Sequence, residues 1–446
     1  MTTRRTPRAS GRFRRLCLAL AGLAVGALLG ASGCSTDKPA PDDAGQNEPP
    51  SSAPAAADAQ TPQPYDLTPD PLGGLSNATP TTYDQAVALI DERAEWIHHQ
   101  RPLDIPRHPA EKYLDGWVIV LDPGHGGRAD VRGYKRGPTG VREAEMNLRV
   151  AYLLARLLRD AGATVELTRT GETSERANDN NKATHKLRAD LANTLERPDG
   201  GTGADLFISI HHNAASRPTA NYSSVWFHGA SGGAEPDLDV AKYVAHRLGA
   251  HLRTDVGLTA PLHSDRQMYA SGFAVLRLAQ VPAILLESSF FSHPEEEQRL
   301  RDAGYNLREA YAVYEGLCEY AYGGRPTQSP PEAIDASSRG DADPESLGGT
   351  RLQTVLDDGL PKGWWGNDRL RTLPSTISVF VDGERIASDF DPETSALEFT
   401  LPDSAETEVV VAIHHANEYK HHNFPQRYAV TLDEGAVAIQ PLGSAR

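Results

Sequence analysis

In the middle of the chain, short segments of almost uninterrupted apolar residues alternate with longer amphipathic segments. Leu206–Ile210 and Ala283–Leu286 are of the first kind, whereas Glu143–Ala161 carries apolar residues at the three- and four-residue spacing of an α-helix. Strands that are apolar on both faces require helices on both sides of the sheet. The alternation therefore predicts one α/β domain over residues 115–325, with a largely parallel sheet flanked by helices. The further predicted strands are Trp117–Leu121, Thr164–Thr168, Ser223–Phe227 and Ala274–Leu276, and the further predicted helices include Leu187–Leu195 and Leu238–Leu252.

The pattern changes after this domain. Residues 326–350 are rich in Pro, Ser, Asp and Gly and are predicted to form a linker. Several short alternating segments follow, among them Ile377–Val381, which runs into the hairpin signal Asp382-Gly383. Short strands without helices predict a small, all-β, sandwich-like domain over residues 351–446.

The N-terminus has the three regions of a signal peptide. An arginine-rich head precedes the apolar run Leu16–Leu29, and small residues then lead to Cys34. The letters ASGC at 31–34 resemble the lipobox of bacterial lipoproteins, although Ala31 stands where Leu is more common. We therefore expect residues 1–33 to be removed and Cys34 to be acylated, which tethers the protein to a membrane without crossing it. An ordinary secretory leader is the alternative.

Two segments connect the leader to the α/β domain. Residues 34–64 are mostly Pro, Ala, Asp and Gln, a composition that cannot bury a core, and are predicted to form a disordered tether. Residues 65–114 are predicted to form a helical extension, because Tyr83–His99 has apolar residues at helical spacing.

Charge and cysteine content narrow the class of protein. The net charge is -16, and six arginines lie in the leader without any acidic residue, so its removal gives -16 - 6 = -22. Such a chain repels phosphate backbones, which argues against a nucleic-acid partner. Only Cys318 remains unmodified in the expected mature chain, and its apolar helical setting predicts a small core residue rather than a nucleophile.

Four side chains suited to metal or acid–base chemistry lie at the ends of predicted elements. His125 is in a glycine-rich loop after a strand, Glu143 begins a helix, and His211 and Glu287 each end a strand. The ligand crevice of an open α/β sheet lies outside the carboxyl ends of its strands, so these side chains can converge. Two histidines and one carboxylate suit a catalytic zinc with a position left for water, and a further carboxylate can serve as general base.

Each of these residues also has an ordinary interpretation. A loop histidine is commonly just polar, a glutamate in a first helical turn complements the helix dipole, and a histidine after a strand is commonly hydrogen-bonded. Glu287 is harder to explain in this way, because a carboxylate behind four apolar residues is costly to bury without a partner.

Six motifs of the α/β domain resemble, in the same order, those of the zinc N-acetylmuramoyl-L-alanine amidases of the type 3 family. They are VLDPGHGG at 120–127, EAEMNL at 143–148, LTR at 167–169, LR and AN within 187–193, LFISIH at 206–211 and PAILLESSF at 282–290. The resemblance implies that His125, Glu143 and His211 hold Zn²⁺ and that Glu287 is the catalytic base. It also implies, less directly, that Asn213 lies near the substrate.

This chain departs from the family pattern at three places. His212 stands where a small residue often follows the ligand histidine, Ser288-Ser289 replaces a more usual Thr-Gly or Leu-Gly, and His293 replaces a common Asn. None of these changes removes an expected ligand. They bear on the substrate rather than on the chemistry.

The resemblance implies hydrolysis of the amide between the lactyl group of muramic acid and the L-alanine of the peptidoglycan stem peptide, by a zinc-activated water. With Cys34 acylated, the protein is expected on the outer membrane, facing the periplasm. A non-catalytic wall-binding lipoprotein and a zinc peptidase that cuts within the stem peptide are the alternatives. The C-terminal domain lacks a catalytic set and is interpreted as a module for the wall or for a protein partner.

Two further segments bear on regulation and on metal binding. The stretch from Asn213 to the strand predicted at Ala274–Leu276 has no spare long helix of the kind that autoinhibits some family members. The histidines 414, 415, 421 and 422 suggest a metal site, but they lack a carboxylate set and helical spacing. We expect them to be solvated imidazoles in a loop at a strand end.

Overall fold

The computed structural model describes residues 105–126, 135–171, 176, 182–198, 200–230, 233–252, 254–255, 260–334, 346–360, 371–424, 426–433 and 436–443. All of them belong to one compact unit that spans residues 61–446. The predicted signal peptide, Cys34, the tether and the helix predicted at Tyr83–His99 lie outside the described residues. Within the described part, no helix combines the length and the apolar character needed to cross a membrane.

The first domain is built on a six-stranded sheet. Its strands are β1 (Val118–Pro123), β2 (Thr164–Leu167), β3 (Leu206–Asn213), β4 (Ser224–Phe227), β5 (Leu262–Ser264) and β6 (Ala283–Phe290), in the spatial order β2-β1-β3-β6-β4-β5. β2, β1, β3 and β6 are parallel to their neighbours in this order, whereas β4 is antiparallel to β6 and parallel to β5. The largely parallel sheet predicted from the sequence is confirmed.

Helices cover both faces of this sheet, as expected for strands that are apolar on both sides. They are α1 (Glu143–Asp160), α2 (Lys182–Thr194), α3 (Glu235–Leu252), α4 (Ala274–Leu278), α5 (Pro294–Arg301) and α6 (Ala303–Tyr322). Ile119 and Leu121 of β1 join the core formed with α1, α3 and α6, and Cys318 is buried in that core, as predicted. Val118 and Val120 face the second core, against α2 and α4.

Two sequence predictions in this domain were wrong or incomplete. Ala274–Leu276, predicted to be a strand, is part of helix α4, because three apolar residues fit either period and packing against α2 decides between them. Strand β5, which consists of Leu262–Ser264, was not predicted, since it is short and only half-buried.

The C-terminal domain consists of two antiparallel sheets. Its strands are β7 (Thr327–Gln328), β8 (Glu332–Ile334), β9 (Arg351–Asp357), β10 (Ser378–Val381), β11 (Glu384–Ile386), β12 (Ser388–Asp391), β13 (Ala396–Thr400), β14 (Glu408–His414), β15 (Arg427–Asp433) and β16 (Ala436–Gly443). One sheet has the order β11-β10-β14-β15-β16, and the other has the order β12-β13-β9-β7 with β8 also on β9. Alternate residues of both sheets, such as Leu352, Phe399 and Val411, form one core between them. β7 and β8 lie inside the segment 326–350 that the sequence suggested as a linker.

The two domains share a buried polar junction. The Asn417 side-chain amide donates to the Gly323 carbonyl (2.8 Å). The His421 ring lies between the Gly324 carbonyl (2.8 Å) and the Tyr243 hydroxyl (3.0 Å). The Asp239 carboxylate accepts two hydrogen bonds from His422, one from its amide and one from Nδ1, both 2.8 Å. These contacts fix the C-terminal domain against α3 and the end of α6.

The four histidines therefore do not form a solvated loop, and that prediction was wrong. His415 and His421 are each only 1% exposed, whereas His414 and His422 are half-buried. The sequence could not reveal this burial because the covering residues, such as Tyr243, come from another domain.

Candidate metal centre

The three residues suggested as metal ligands lie at one edge of the parallel sheet. His125 follows the end of β1, His211 is near the end of β3, and Glu143 is the first residue of α1. β1 and β3 are adjacent and parallel, so their carboxyl ends meet. These residues are 18 to 86 positions apart in the sequence, and the fold brings them together.

The three side chains offer donor atoms that almost touch one another. Glu143 Oε1 lies 3.1 Å from His125 Nε2 and 3.1 Å from His211 Nδ1, and the two imidazole nitrogens are 3.2 Å apart. Ligands of a tetrahedral zinc at about 2.0 Å are roughly 3.3 Å from one another. The set therefore has the spacing that three ligands of one zinc ion require, with a fourth position left open.

The protonation states also suit a metal site. Burial opposes ionisation of Glu143, but the neighbouring His125 and His211 outweigh it and hold the pKa of this carboxyl well below its usual value. Burial lowers the pKa of His211, which favours a neutral ring. Glu143 Oε2 is buried and has no hydrogen-bond partner in the described parts of the chain, and the Lys135 ammonium is 3.7 Å away. An ionised carboxylate and a neutral imidazole are both ligands that zinc accepts.

The loop after β1 is shaped to bring the two imidazoles together. A Cβ atom on Gly124 would lie 2.1 Å from His211 Cε1, so only glycine fits beside that ring. His125 itself has a φ of 63°, in the left-handed region that non-glycine residues rarely adopt. The two rings meet edge to face with centroids 4.7 Å apart. The strained backbone of His125 therefore accompanies the placement of its ring against that of His211.

Glu287 lies next to this set on strand β6. It is the register partner of His211 on β3, so both side chains are on the same side of the sheet. Its Oε2 atom is buried without a hydrogen-bond partner among the described residues. Burial, followed by the charge of Glu143, raises the pKa of Glu287 to about 8. This carboxylate is therefore able to take up and hold a proton.

Asp122 organises the residues beneath the loop. Its carboxylate accepts hydrogen bonds from Thr168 Oγ1 (2.6 Å) and Ser209 Oγ (2.7 Å), and Arg188 is 3.5 Å away. Burial opposes its ionisation, but Arg188 and the two hydroxyls outweigh this and lower the pKa of Asp122. Arg188 also donates to the His125 carbonyl (2.9 Å). The LTR and LR motifs therefore support the loop that carries His125.

A second buried network, which sequence reasoning missed, lies behind Glu143. The His212 amide faces Glu143 Oε1 at 3.3 Å, while its ring contacts Asn147 Oδ1 through Nδ1 (2.8 Å) and Glu309 Oε2 through Nε2 (3.0 Å). The side chains of His212 and Glu309 are fully buried. A glutamate in the apolar pattern of α6 was the available signal, but nothing in the sequence linked it to a residue 97 positions away.

The remaining residues singled out in the sequence have structural contacts. Asn213 is half-buried at the end of β3, and its side-chain oxygen accepts from the Ala214 amide (2.8 Å). His293 caps helix α5 by accepting from the Glu296 amide (3.3 Å). Ser288 and Ser289 are buried after Glu287, and neither hydroxyl has a hydrogen-bond partner among the described residues.

Several known proteins are similar to this chain in sequence. The sequence pattern of the family described as N-acetylmuramoyl-L-alanine amidase matches residues 119–319. The chain is 28% identical over 284 residues to the N-acetylmuramoyl-L-alanine amidase AmiA of Escherichia coli (strain K12), covering 55% of this chain and 89% of that protein. It is 30% identical over 240 residues to the probable cell wall amidase LytH of Staphylococcus saprophyticus, covering 53% of this chain and 70% of that protein.

The first domain also superposes on the crystal structure of an N-acetylmuramoyl-L-alanine amidase from Clostridium difficile 630. The identity is 27%, the TM-score is 0.37, and the match covers 46% of this chain and 97% of that chain. The matched family segment contains all four of His125, Glu143, His211 and Glu287. The chain belongs to the N-acetylmuramoyl-L-alanine amidase family.

Proposed function

We propose that this amidase hydrolyses the bond between the lactyl group of muramic acid and the L-alanine of the peptidoglycan stem peptide. His125, Glu143 and His211 hold Zn²⁺, and Glu287 is the general base. The observation that carries the proposal is the convergence of three donor atoms at 3.1–3.2 Å beside Glu287 on the adjacent strand, whose Oε2 atom is buried. Family membership supports the amidase reaction.

Zinc bound there supplies a Lewis acid that polarises the amide carbonyl and makes a coordinated water more acidic. Glu287 removes the proton from the attacking water and delivers it to the departing amine of alanine. The half-buried setting of Glu287 and its closeness to Glu143 favour the protonated carboxyl that this delivery needs. Asp122 and Arg188 hold the loop that positions His125.

The two alternatives raised by the sequence have less support. A non-catalytic wall-binding protein has no use for a carboxylate such as Glu287, because its buried Oε2 atom, without a hydrogen-bond partner among the described residues, costs stability. A zinc peptidase requires the same chemistry but a different bond, and both curated relatives compared above carry amidase names.

Digestion of purified muropeptides, followed by mass spectrometry, tests the proposal. Release of intact stem peptides with a free L-alanine amine is expected, together with the corresponding sugar chain. A chelator should abolish the reaction and added zinc should restore it. Products cut inside the stem peptide would show that the protein is a peptidase instead.

We further propose that the protein acts from a lipid anchor on Cys34 at the outer membrane, facing the periplasm. The support is the leader and the lipobox-like ASGC at 31–34. The variant Cys34→Ala should lose both fatty-acid labelling and membrane fractionation. Full retention of membrane association in that variant would contradict the anchor.

A further inference from the structure

A cavity of about 1040 Å³ lies on the outward face of the β10–β14–β15 sheet, beside the start of α3. Val379, Val411 and Tyr428 of these strands point inward and are buried. The alternate residues point outward into the cavity and are half-buried, which is unusual for the solvent side of a sandwich. These residues include Ser378, Phe380, Val410, Ala412, His414 and Arg427.

Three of the lining residues form one row across the strands. Phe380 pairs with Ala412, and Ala412 pairs with Arg427. Neighbouring strands are about 4.8 Å apart, so the backbones of Phe380 and Arg427 are roughly 10 Å apart. The small side chain of Ala412 leaves the space between the ring and the guanidinium open.

Arg427 has no ion pair or hydrogen bond from its side chain within the described residues, and its Nε atom is buried. An arginine is always charged, and a buried donor without an acceptor costs free energy. The chain has 60 acidic and 44 basic residues, so an unpaired guanidinium is not explained by a shortage of carboxylates. The Arg427 guanidinium can therefore donate hydrogen bonds to an acceptor group on a bound ligand.

His415 adds a second polar group to the lining. It is 1% exposed and lies beside the Thr327 backbone, but its ring nitrogens form no hydrogen bond of good geometry within the described residues. The acidic lining residues, Glu235 and Asp382, are exposed, so solvent screens their charge. The Asp382 carboxylate, moreover, accepts from the Val410 amide (2.8 Å).

We propose that this cavity binds a peptide with a free carboxylate, which pairs with Arg427 while an adjacent apolar side chain packs on Phe380. Guanidinium and carboxylate match as a bidentate pair, and the open space over Ala412 accommodates the peptide between the two. The occupant is the carboxylate end of a peptidoglycan stem peptide, an identification that rests on the proposed function.

The cavity lies away from the candidate metal centre. Asp237 accepts a hydrogen bond from the amide of Ala283, the first residue of β6, so the start of α3 is at the amino end of that strand. Glu235, which lines the cavity, belongs to the same turn of α3. Glu287 lies towards the other end of β6. A peptide held in the cavity therefore anchors the enzyme on the wall without entering the catalytic cleft.

Calorimetric titration of the full chain with N-acetyl-alanyl-alanine tests the proposal. The C-terminal amide of the same peptide is the control probe. The free acid should bind and the amide should bind at least tenfold more weakly. Arg427→Gln should reduce binding of the acid to the level of the amide. Ala412→Leu should also weaken binding of the acid, because the larger side chain fills the space between Phe380 and Arg427. The matched control Arg351→Gln, in an ion pair with Glu398 on the other sheet, should bind like the unmodified chain.

Each outcome decides the proposal. Equal binding of acid and amide, or undiminished binding by Arg427→Gln, would overturn it, as would failure of the unmodified chain to bind the acid. Arg427→Gln should melt no lower than the unmodified chain, because its loss breaks no polar contact within the described residues and removes a buried Nε donor without an acceptor.

A sedimentation assay identifies the occupant. Arg427→Gln should sediment less with intact sacculi and still hydrolyse soluble muropeptides at the normal rate. Unchanged sedimentation would show that the occupant is not the stem peptide. If the unmodified chain does not hydrolyse muropeptides at all, the proposed function is contradicted. Binding of the dipeptide acid at Arg427 would not be affected by that result.

Discussion

His211 and Glu287 lie directly opposite each other, in parallel register, on the neighbouring strands β3 and β6. His211 belongs to the group of candidate metal ligands, and Glu287 has a buried Oε2 atom that no described residue hydrogen-bonds. Parallel register keeps both side chains on the same side of the sheet. A metal held by His211 would therefore lie on the side of the sheet that also carries the Glu287 carboxylate.

Loss of any one ligand should abolish zinc binding. His125→Ala, Glu143→Ala and His211→Ala each remove one of three protein donors, so zinc content should fall from about one equivalent to near zero. Elemental analysis of the purified variants measures this directly. His263→Ala, whose ring packs on Trp226, is the control and should keep its zinc. A ligand variant that retains a full equivalent would remove that residue from the site.

The buried pair of His212 and Glu309 should show strong energetic coupling. Glu309→Leu leaves the imidazole buried without its carboxylate and should cost about 3–5 kcal/mol of unfolding free energy. Adding His212→Ala removes the buried ring that has lost its carboxylate. The double variant should therefore lose less unfolding free energy than the two single variants added together, by roughly 0.5–3 kcal/mol. Denaturant unfolding measures each step. Lys186→Ala, in an exposed ion pair, should cost less than about 1 kcal/mol. Additive effects would show that the two side chains do not interact.

Acid should destabilise the C-terminal domain through His415. Burial lowers the pKa of this histidine to about 4, with His414, His422 and Asp358 as its charged neighbours. In the unfolded chain its pKa is about 6.5, so between these values the unfolded state binds more protons and stability falls as the pH decreases. The loss should approach roughly 1.4 kcal/mol per pH unit from this group.

The control for this pH dependence is His415→Leu, which cannot be protonated. Its unfolding free energy should fall less between pH 7 and pH 4 than that of the unmodified chain, because the contribution of His415 is missing. Some decrease should remain in both proteins, since protonation of their carboxylates also lowers stability. Denaturant unfolding at several pH values provides the comparison. Identical pH profiles would show that His415 is not buried as a neutral ring.

The first domain should hydrolyse muropeptides without the C-terminal domain. A chain that ends at Gly324 is the appropriate truncation, because β7 and β8 pair with β9 and belong to the C-terminal sheet. It should hydrolyse soluble muropeptides, since the candidate site lies within residues 119–319. Its melting temperature should decrease, because Tyr243 and Tyr320 lose their contacts with His421. A folded, zinc-loaded truncation without activity would contradict this independence.

The sequence predicted the parts of the fold that depend on local pattern. The doubly apolar strands such as β3, and the helix that begins at Glu143, follow from periodicity, and the motifs placed the four site residues. The sequence did not predict contacts between distant segments. His212 reaches Glu309 across 97 positions, and His421 is buried by Tyr243 of another domain. The three apolar residues of Ala274–Leu276 fit the spacing of a strand as well as that of a helix. Tertiary packing makes this segment part of helix α4.

The most direct test of the account is the turnover of Glu287→Gln on a muropeptide, measured per bound zinc. The substitution is nearly isosteric and removes only the ability to accept a proton, so the three ligands and the zinc should remain. Turnover should fall by a factor on the order of 10²–10⁴, as expected for loss of a positioned general base. Near-normal turnover with zinc retained would contradict the account and remove Glu287 from the chemistry.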